Sequence, residues 1–273
     1  MGASTSHYGA AADGRVQFRR RWRADSPRAA MLLVHGIGEH VGRYEHVGAA
    51  FATAGIDVLA HDQRGFGLTE GRRAFVRTFD EYLDDIEPLL DDRRSSDVPV
   101  ILMGHSLGGL IATAYLVSDR PQPDLAVLSA PALDATAPAW QRKIAPLLGR
   151  VAPRMHLKAD FDGSILSRDP AVQLAYEQDP LRVDGSTASL GKAILATMAA
   201  TTERLDRLRV PSYVLHGTSD ELVPPDASAP LGTLPGVTRR LWDGLRHECL
   251  NEPEQDQVIA EIIAWLDAQL SSS

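Results

Sequence analysis

Five short, largely apolar runs constrain this 273-residue chain more than any other feature: residues 31–34, 56–60, 100–103, 125–128 and 210–215. Runs this short and this apolar suit strands covered on both faces, as in a parallel sheet. Between and after them apolar residues recur at helical spacing, at Val47, Phe51 and Ala54, and again at Phe79, Leu83, Ile86 and Leu90. Val258, Ile259, Ile262, Ile263 and Leu266 form a third stripe, and Asn251 with Glu254, Pro253 between them, signals its helix start. Strands alternating with helices predict an α/β fold, a mostly parallel central sheet flanked by helices and joined by right-handed crossovers.

Before the first run, Val16, Phe18, Arg20 and Trp22 alternate, as in an antiparallel edge or hairpin strand. Residues 1–12 are small and polar and are expected to be loosely ordered. The alternation breaks between Pro131 and Asp206, where Pro138, Pro146, Pro153, Pro170 and Pro180 interrupt helix-like patches at 144–148 and 194–198. This stretch reads as a helical cap inserted over the sheet's carboxyl edge. The expected division is a core of residues 1–133 and 205–273 with a cap of residues 134–204.

The net charge of −8 argues against a phosphate-binding surface, so nucleic acid is not an expected partner. Arg19, Arg20, Arg21 and Arg23 enclose Trp22 and read as the solvated face of a strand. Cys249 is the one cysteine, which rules out an intrachain disulfide and fits a reducing, cytoplasmic location. Residues 1–13 lack the basic start and apolar run of a secretory signal, and no stretch approaches the roughly 20 apolar residues that span a bilayer. The expectation is a soluble protein with at most peripheral membrane contact.

Within this frame Gly104-His105-Ser106-Leu107-Gly108 matches G-x-S-x-G. The pattern is common by itself, and its setting carries the weight. An apolar run ends just before it and a helical segment, 107–116, follows, which is the context of a nucleophile elbow. A serine on so sharp a turn sits in strained backbone at a helix N-terminus, where free N–H groups favour developing negative charge. The flanking glycines remove Cβ atoms that would collide as the helix doubles back. The plain alternative is a tight turn in which the serine caps the helix.

In such an architecture the acid and then the histidine follow the serine. Of nine histidines, only His156, His216 and His247 come after Ser106. His156 falls in the cap, and His216 precedes its best acidic partner, which leaves His247. Asp220, in the turn after the run 210–215, is the favoured acid, because a carboxylate there can hold the tautomer of the imidazole. Asp134 is the runner-up, while Glu221 and Asp243 read as solvated. The loop His35-Gly36-Ile37-Gly38-Glu39-His40 follows the first buried run, so the backbone N–H groups of Ile37 and Leu107 are the expected oxyanion-hole donors. His35, His40 and His46 lack a supporting ligand cluster, and neither a metal nor a cofactor is expected.

Six stretches now resemble the monoacylglycerol lipases, lysophospholipase-like α/β hydrolases. They are HGIGEHVGRY (35–44), AHDQRGFGLTEG (60–71), GHSLGG (104–109), LSAPAL (128–133), VLHGTSDELVP (214–224) and RHECLNEP (246–253), in the family's order. The resemblance implies the α/β-hydrolase fold, the same triad positions at Ser106, Asp220 and His247, a mobile apolar cap, and hydrolysis of single-acyl glycerol esters. It places Glu39 and Arg43 near the pocket for the leaving alcohol, as substrate-binding residues, against the plain reading of a surface salt bridge. The family commonly has a small residue where Ile37 stands, a change that leaves the N–H intact and narrows the site.

The alternative is a lysophospholipase, general carboxylesterase or peptidase on the same fold. A ligand-binding receptor built on a silenced hydrolase is a different class, and the intact catalytic residues argue against it. Because a fatty-acyl substrate partitions into micelles and membranes, the cap around 144–151 is expected to touch lipid transiently, with packing on the core as the rival reading. Cys249 reads either as a thiol near the site or as a buried structural residue. The oligomeric state is left open.

Overall fold

The computed structural model describes residues 4–95, 97–135, 139–159 and 162–271. In chain order its strands are β1 (Thr5–Ala10), β2 (Val16–Trp22), β3 (Ala29–Val34), β4 (Ile56–His61), β5 (Val100–His105) and β6 (Leu125–Ser129). After these come β7 (His156–Leu157), β8 (Ser186–Thr187), β9 (Ser212–Gly217) and β10 (Val237–Trp242). The helices are α1 (Glu45–Thr53), α2 (Asp80–Arg94), α3 (Leu107–Leu116), α4 (Ala139–Val151), α5 (Pro170–Glu177), α6 (Ala188–Thr202) and α7 (Gln255–Leu270).

Eight strands form one sheet in the order β1-β2-β4-β3-β5-β6-β9-β10, and β7 pairs with β8 alone. All pairings from β4 to β10 are parallel, with the antiparallel β1–β2 hairpin at one edge. The apolar runs are strands because both of their faces are covered. Along β3, Leu32 and Val34 join a core with α2 and α3, while Met31 and Leu33 join a second core with α1 and α7. Val258, Ile259, Ile262 and Leu266 of α7 are buried in the second core, each contributing about 1.5–3 kcal/mol.

The chain leaves β3 in one direction to make β4 and then crosses to β5 on the other side. Ligands bind at such a reversal of strand order, beyond the carboxyl ends of the strands. The loop after β3 and the turn after β5 are therefore neighbours. The turns after β6, β9 and β10 open at the same rim.

Two sequence expectations fail. Residues 5–10 are not loose: they form β1, paired along its length with β2. Its side chains are mostly exposed, so no apolar alternation announced it, and the hairpin rests on Asp13-Gly14, where Gly14 takes φ 79°. Residues 1–3 lie outside the described residues. Nor does Asn251 start the last helix. It sits in a short 3₁₀ turn with its amide donating to Glu248 Oε2 at 2.9 Å, and α7 begins at Gln255 without a side-chain cap.

Between β6 and β9 no described residue joins the main sheet. This stretch carries α4, α5, α6 and the β7–β8 pair, with α4 packed on α6. Asp169 caps α5 by accepting Ala171 N–H, with Pro170 at the first helical position, the sequence signature of a helix start. Pro138 lies outside the described residues. No helix among the described residues is long and apolar enough to cross a membrane.

Candidate active site

β5 ends at His105 and α3 begins at Leu107, so one residue makes the reversal. That residue, Ser106, has φ 52° and ψ −115°, a region that side-chain-bearing residues rarely occupy. Its N–H donates to Ser129 O at 3.0 Å, and its carbonyl accepts Leu110 N–H at 2.9 Å and Ala132 N–H at 3.1 Å. A Cβ on Gly104 would lie 2.2 Å from Gly108 O, and one on Gly108 would lie 2.1 Å from Val34 O. The glycines thus permit α3 to press against the strands. Ser106 makes no side-chain cap on α3, contrary to the plain alternative.

Asp220, after β9, and His247, after β10, meet at this rim. Asp220 Oδ2 lies 2.7 Å from His247 Nδ1, while Oδ1 accepts the backbone N–H groups of Leu222 and Val223, each at 2.9 Å. Burial opposes charge on Asp220, but the His247 charge and hydrogen bonds from His216, His247 and Val223 hold it well below the usual carboxylate range. Burial likewise lowers His247, yet Asp220, by charge and hydrogen bond, with Glu248 and Glu39 adding, raises it above its ordinary value. Ser106 and His247 line one cavity of about 510 Å³. No hydrogen bond joins the Ser106 hydroxyl to the His247 ring; a nucleophile–base contact of this kind commonly tightens only in the complex with substrate. His105 packs 4.8 Å from the His247 ring and is pushed down to about 4 by burial and by that neighbour's charge, so it is a neutral wall.

The loop after β3 is held from two sides. His35 is buried, and burial lowers its basicity. Its Nε2 accepts Gln63 N–H at 2.9 Å, so its Nδ1 carries the proton and donates to Gly36 O at 2.7 Å. Pinning that carbonyl fixes the next amide, because C=O and N–H point opposite ways across a trans peptide. Glu39 Oε1 accepts Gly36 N–H and, at 2.7 Å, the Tyr44 hydroxyl. Among the described residues Ile37 N–H donates to no acceptor, and Leu107, first in α3, has none within its helix.

Glu39 and Arg43 both reach the cavity wall, but not as a surface pair. Arg43 donates to Glu39 Oε2 at 3.2 Å and forks onto both oxygens of Glu248 at 2.6 and 2.7 Å, with all three side chains mostly buried. Burial raises Glu248, but Arg43 brings it down to about 2, so it stays charged. Sequence reasoning missed Glu248, the hold of His35 on the loop, and the sharing of one Asp220 oxygen by His216 and His247. Glu248 adjoins His247, yet nothing in the spacing links it to Arg43, 205 positions away.

The rejected candidates lie elsewhere. Asp134 lines a separate groove with Leu195 and Asp226, and Glu221 is exposed, as is Asp243, which accepts from Thr218. His156 is exposed on β7. The Cys249 thiol is buried and pushed well above its ordinary range by that burial, as a structural residue would be. Among the described residues no cluster of three histidine, cysteine or acidic groups is arranged to hold a metal ion.

A family model described as serine aminopeptidase, S33, matches residues 25–254. The chain is 34% identical over 259 residues to a monoacylglycerol lipase of Mycolicibacterium smegmatis, covering 91% of this chain and 92% of that one. It is 30% identical to the phospholipase YtpA of Bacillus subtilis, covering 90% and 98%. The crystal structure of a Paleococcus ferrophilus monoacylglycerol lipase superposes with a TM-score of 0.86 at 29% identity, covering 94% and 99%.

Proposed function

This chain belongs to the serine aminopeptidase S33 family of α/β hydrolases, and from that premise we propose that it cleaves monoacylglycerols to fatty acid and glycerol through an acyl-enzyme on Ser106. The observation that carries the reading is the Asp220–His247 pair, 2.7 Å apart, on the wall of the cavity that holds the strained Ser106. His247 Nε2 takes the hydroxyl proton as Ser106 Oγ attacks the ester carbonyl, and the Ile37 and Leu107 amides hold the oxyanion. The proton passes to the departing glycerol. Water activated by His247 then frees the fatty acid. The base works only when neutral, so a raised His247 pKa means that rate is lost as pH falls through a value above about 6.5.

Leu107, Ala132, Ile194, Met198, Leu222 and Val223 give the cavity apolar walls for an acyl chain. We read Leu166, Tyr176, Ile194 and Met198 as the contribution of a cap, residues 134–204, to those walls. Glu39, Arg43 and Glu248 set two carboxylates against one guanidinium where we place the leaving alcohol. That balance favours a neutral glycerol over the phosphate-bearing head group of a lysophospholipid. Monoacylglycerol micelles, lysophosphatidylcholine and an aminoacyl arylamide compared side by side test the assignment. Fatty acid should appear fastest from the first, and only with Ser106 intact. No fatty acid from monoacylglycerol, alongside cleavage of other esters, would sink it.

We further read the protein as cytoplasmic, which its single buried cysteine suits, with transient lipid contact through α4. Ile144, Leu147 and Val151 share one face of that helix, and Leu147 and Val151 are 61% and 67% exposed. Leu147→Glu with Val151→Glu should weaken sedimentation with phospholipid vesicles by about tenfold or more. Unchanged binding would remove the docking role.

A further inference from the structure

His216 is the last residue but one of β9, four residues before Asp220, and the chain order of nucleophile, acid and base gives it no part in the reaction. Its ring is fully buried and faces the same carboxylate oxygen as His247. Nε2 lies 3.1 Å from Asp220 Oδ2 and 3.0 Å from Val223 O. Both of those oxygens are acceptors only, so Nε2 carries a proton. Nδ1 faces Ser228 Oγ at 3.0 Å, a hydroxyl that also accepts Arg239 Nε–H at 3.0 Å and lies 3.0 Å from Pro225 O. The imidazole is therefore fixed at both nitrogens. With the Leu222 and Val223 amides on Oδ1, four N–H groups converge on one carboxylate.

We propose that His216 is a positioning residue of the acyl-transfer site: its Nε2–H shares Asp220 Oδ2 with His247 Nδ1–H, fixes the carboxylate toward the base and moderates its pull on the His247 proton. The inference rests on the reading of Asp220 and His247 as acid and base. A donor that stabilises a carboxylate makes it a weaker partner for a second donor, so the imidazolium of His247 gains less from it. His247 then gives up its proton at a lower pH than it would beside Asp220 alone. The charged and titratable groups facing His247 are Asp220, Glu248, Glu39 and the neutral His105. Those facing Asp220 include the two histidines and the buried Cys249 thiol, and His216 itself faces Asp220 and, through Ser228, Arg239.

The test compares pH profiles of kcat/KM for the wild type, His216→Phe and His216→Gln. Phenylalanine removes the N–H, and the acid limb should move up by about half to one pH unit, a further loss of about threefold to tenfold well below the wild-type limb. Glutamine can return an N–H to the place of Nε2 and should bring the limb back. A residue that only fills space would change the plateau or the melting temperature and leave the limb where it was, and that result overturns the proposal. Long-range proton–nitrogen NMR of the histidine rings in the unaltered protein decides the matter should the phenylalanine variant not fold. A His216 ring protonated only at Nδ1, assigned by its loss in His216→Gln, also overturns it. Turnover that survives Ser106→Ala would instead strike at the catalytic assignment beneath, whereas an unmoved limb in a Ser106-dependent enzyme strikes only at His216.

Discussion

Ser106→Ala should lower kcat/KM for a monoacylglycerol by about 10⁴–10⁶-fold and abolish labelling by a fluorophosphonate probe. The residual rate would come from amides and walls that still bind the ester. Folding should be untouched, because alanine keeps the Cβ and the serine hydroxyl makes no helix cap. Ser106→Gly separates the two properties. With φ at 52° the elbow holds its residue in an unfavourable backbone region, a strain of order 1–3 kcal/mol that glycine does not feel. The glycine variant should be as inactive as the alanine one yet at least as resistant to heat. A glycine variant that melts well below the alanine variant would show that the elbow is not strained. Retained turnover in either would remove Ser106 from the chemistry.

Gly108→Ala should be among the most damaging single-methyl changes in the core. The added Cβ would sit 2.1 Å from Val34 O and 2.5 Å from His35 O, both backbone atoms at the end of β3, where no side chain can swing aside. Helix α3 has to move, and overpacking of this kind costs about 3 kcal/mol or more. A chain of this size should then melt about 6–12 °C lower. Activity should fall further than stability alone explains, since the displaced atoms belong to the strand end and loop that carry Ile37. Gly191→Ala is the control: its Cβ meets only Ser186 Oγ at 3.6 Å, in helix α6, and it should be neutral or slightly stabilising. Equal effects at the two positions would refute the close-approach argument.

The parts of this molecule that were legible beforehand are those in which local pattern and burial coincide. Strands β3, β5 and β6 bury both faces, so their residues are apolar up to the carboxyl ends, where His105 and Ser129 reach the rim. The Ser106 elbow needs glycine on either side for steric reasons that are written into five consecutive letters. β1 was not legible, because its exposed side chains carry no alternation and only Asp13-Gly14 hints at a hairpin. Asn251 misled because a capping residue and a residue that donates to a nearby carboxylate look alike in sequence. The Arg43–Glu248 fork and the meeting of His216 and His247 on one oxygen of Asp220 were beyond reach for a different reason. Each depends on how loops at one rim fold against each other, and chain order says which histidine can follow an acid without saying which others touch it.

The strand order also bears on how such a molecule wears out. Ser106 follows a strand deep in the sheet, but His247 hangs from β10, the edge strand opposite β1, whose side chains are largely open to water. An outer strand frays at lower free energy than the interior. With His247 read as the base, hydrolysis depends on one of the two edges of the sheet, and a heated sample should fall silent as a lipase while most of its helices and its inner strands are still in place.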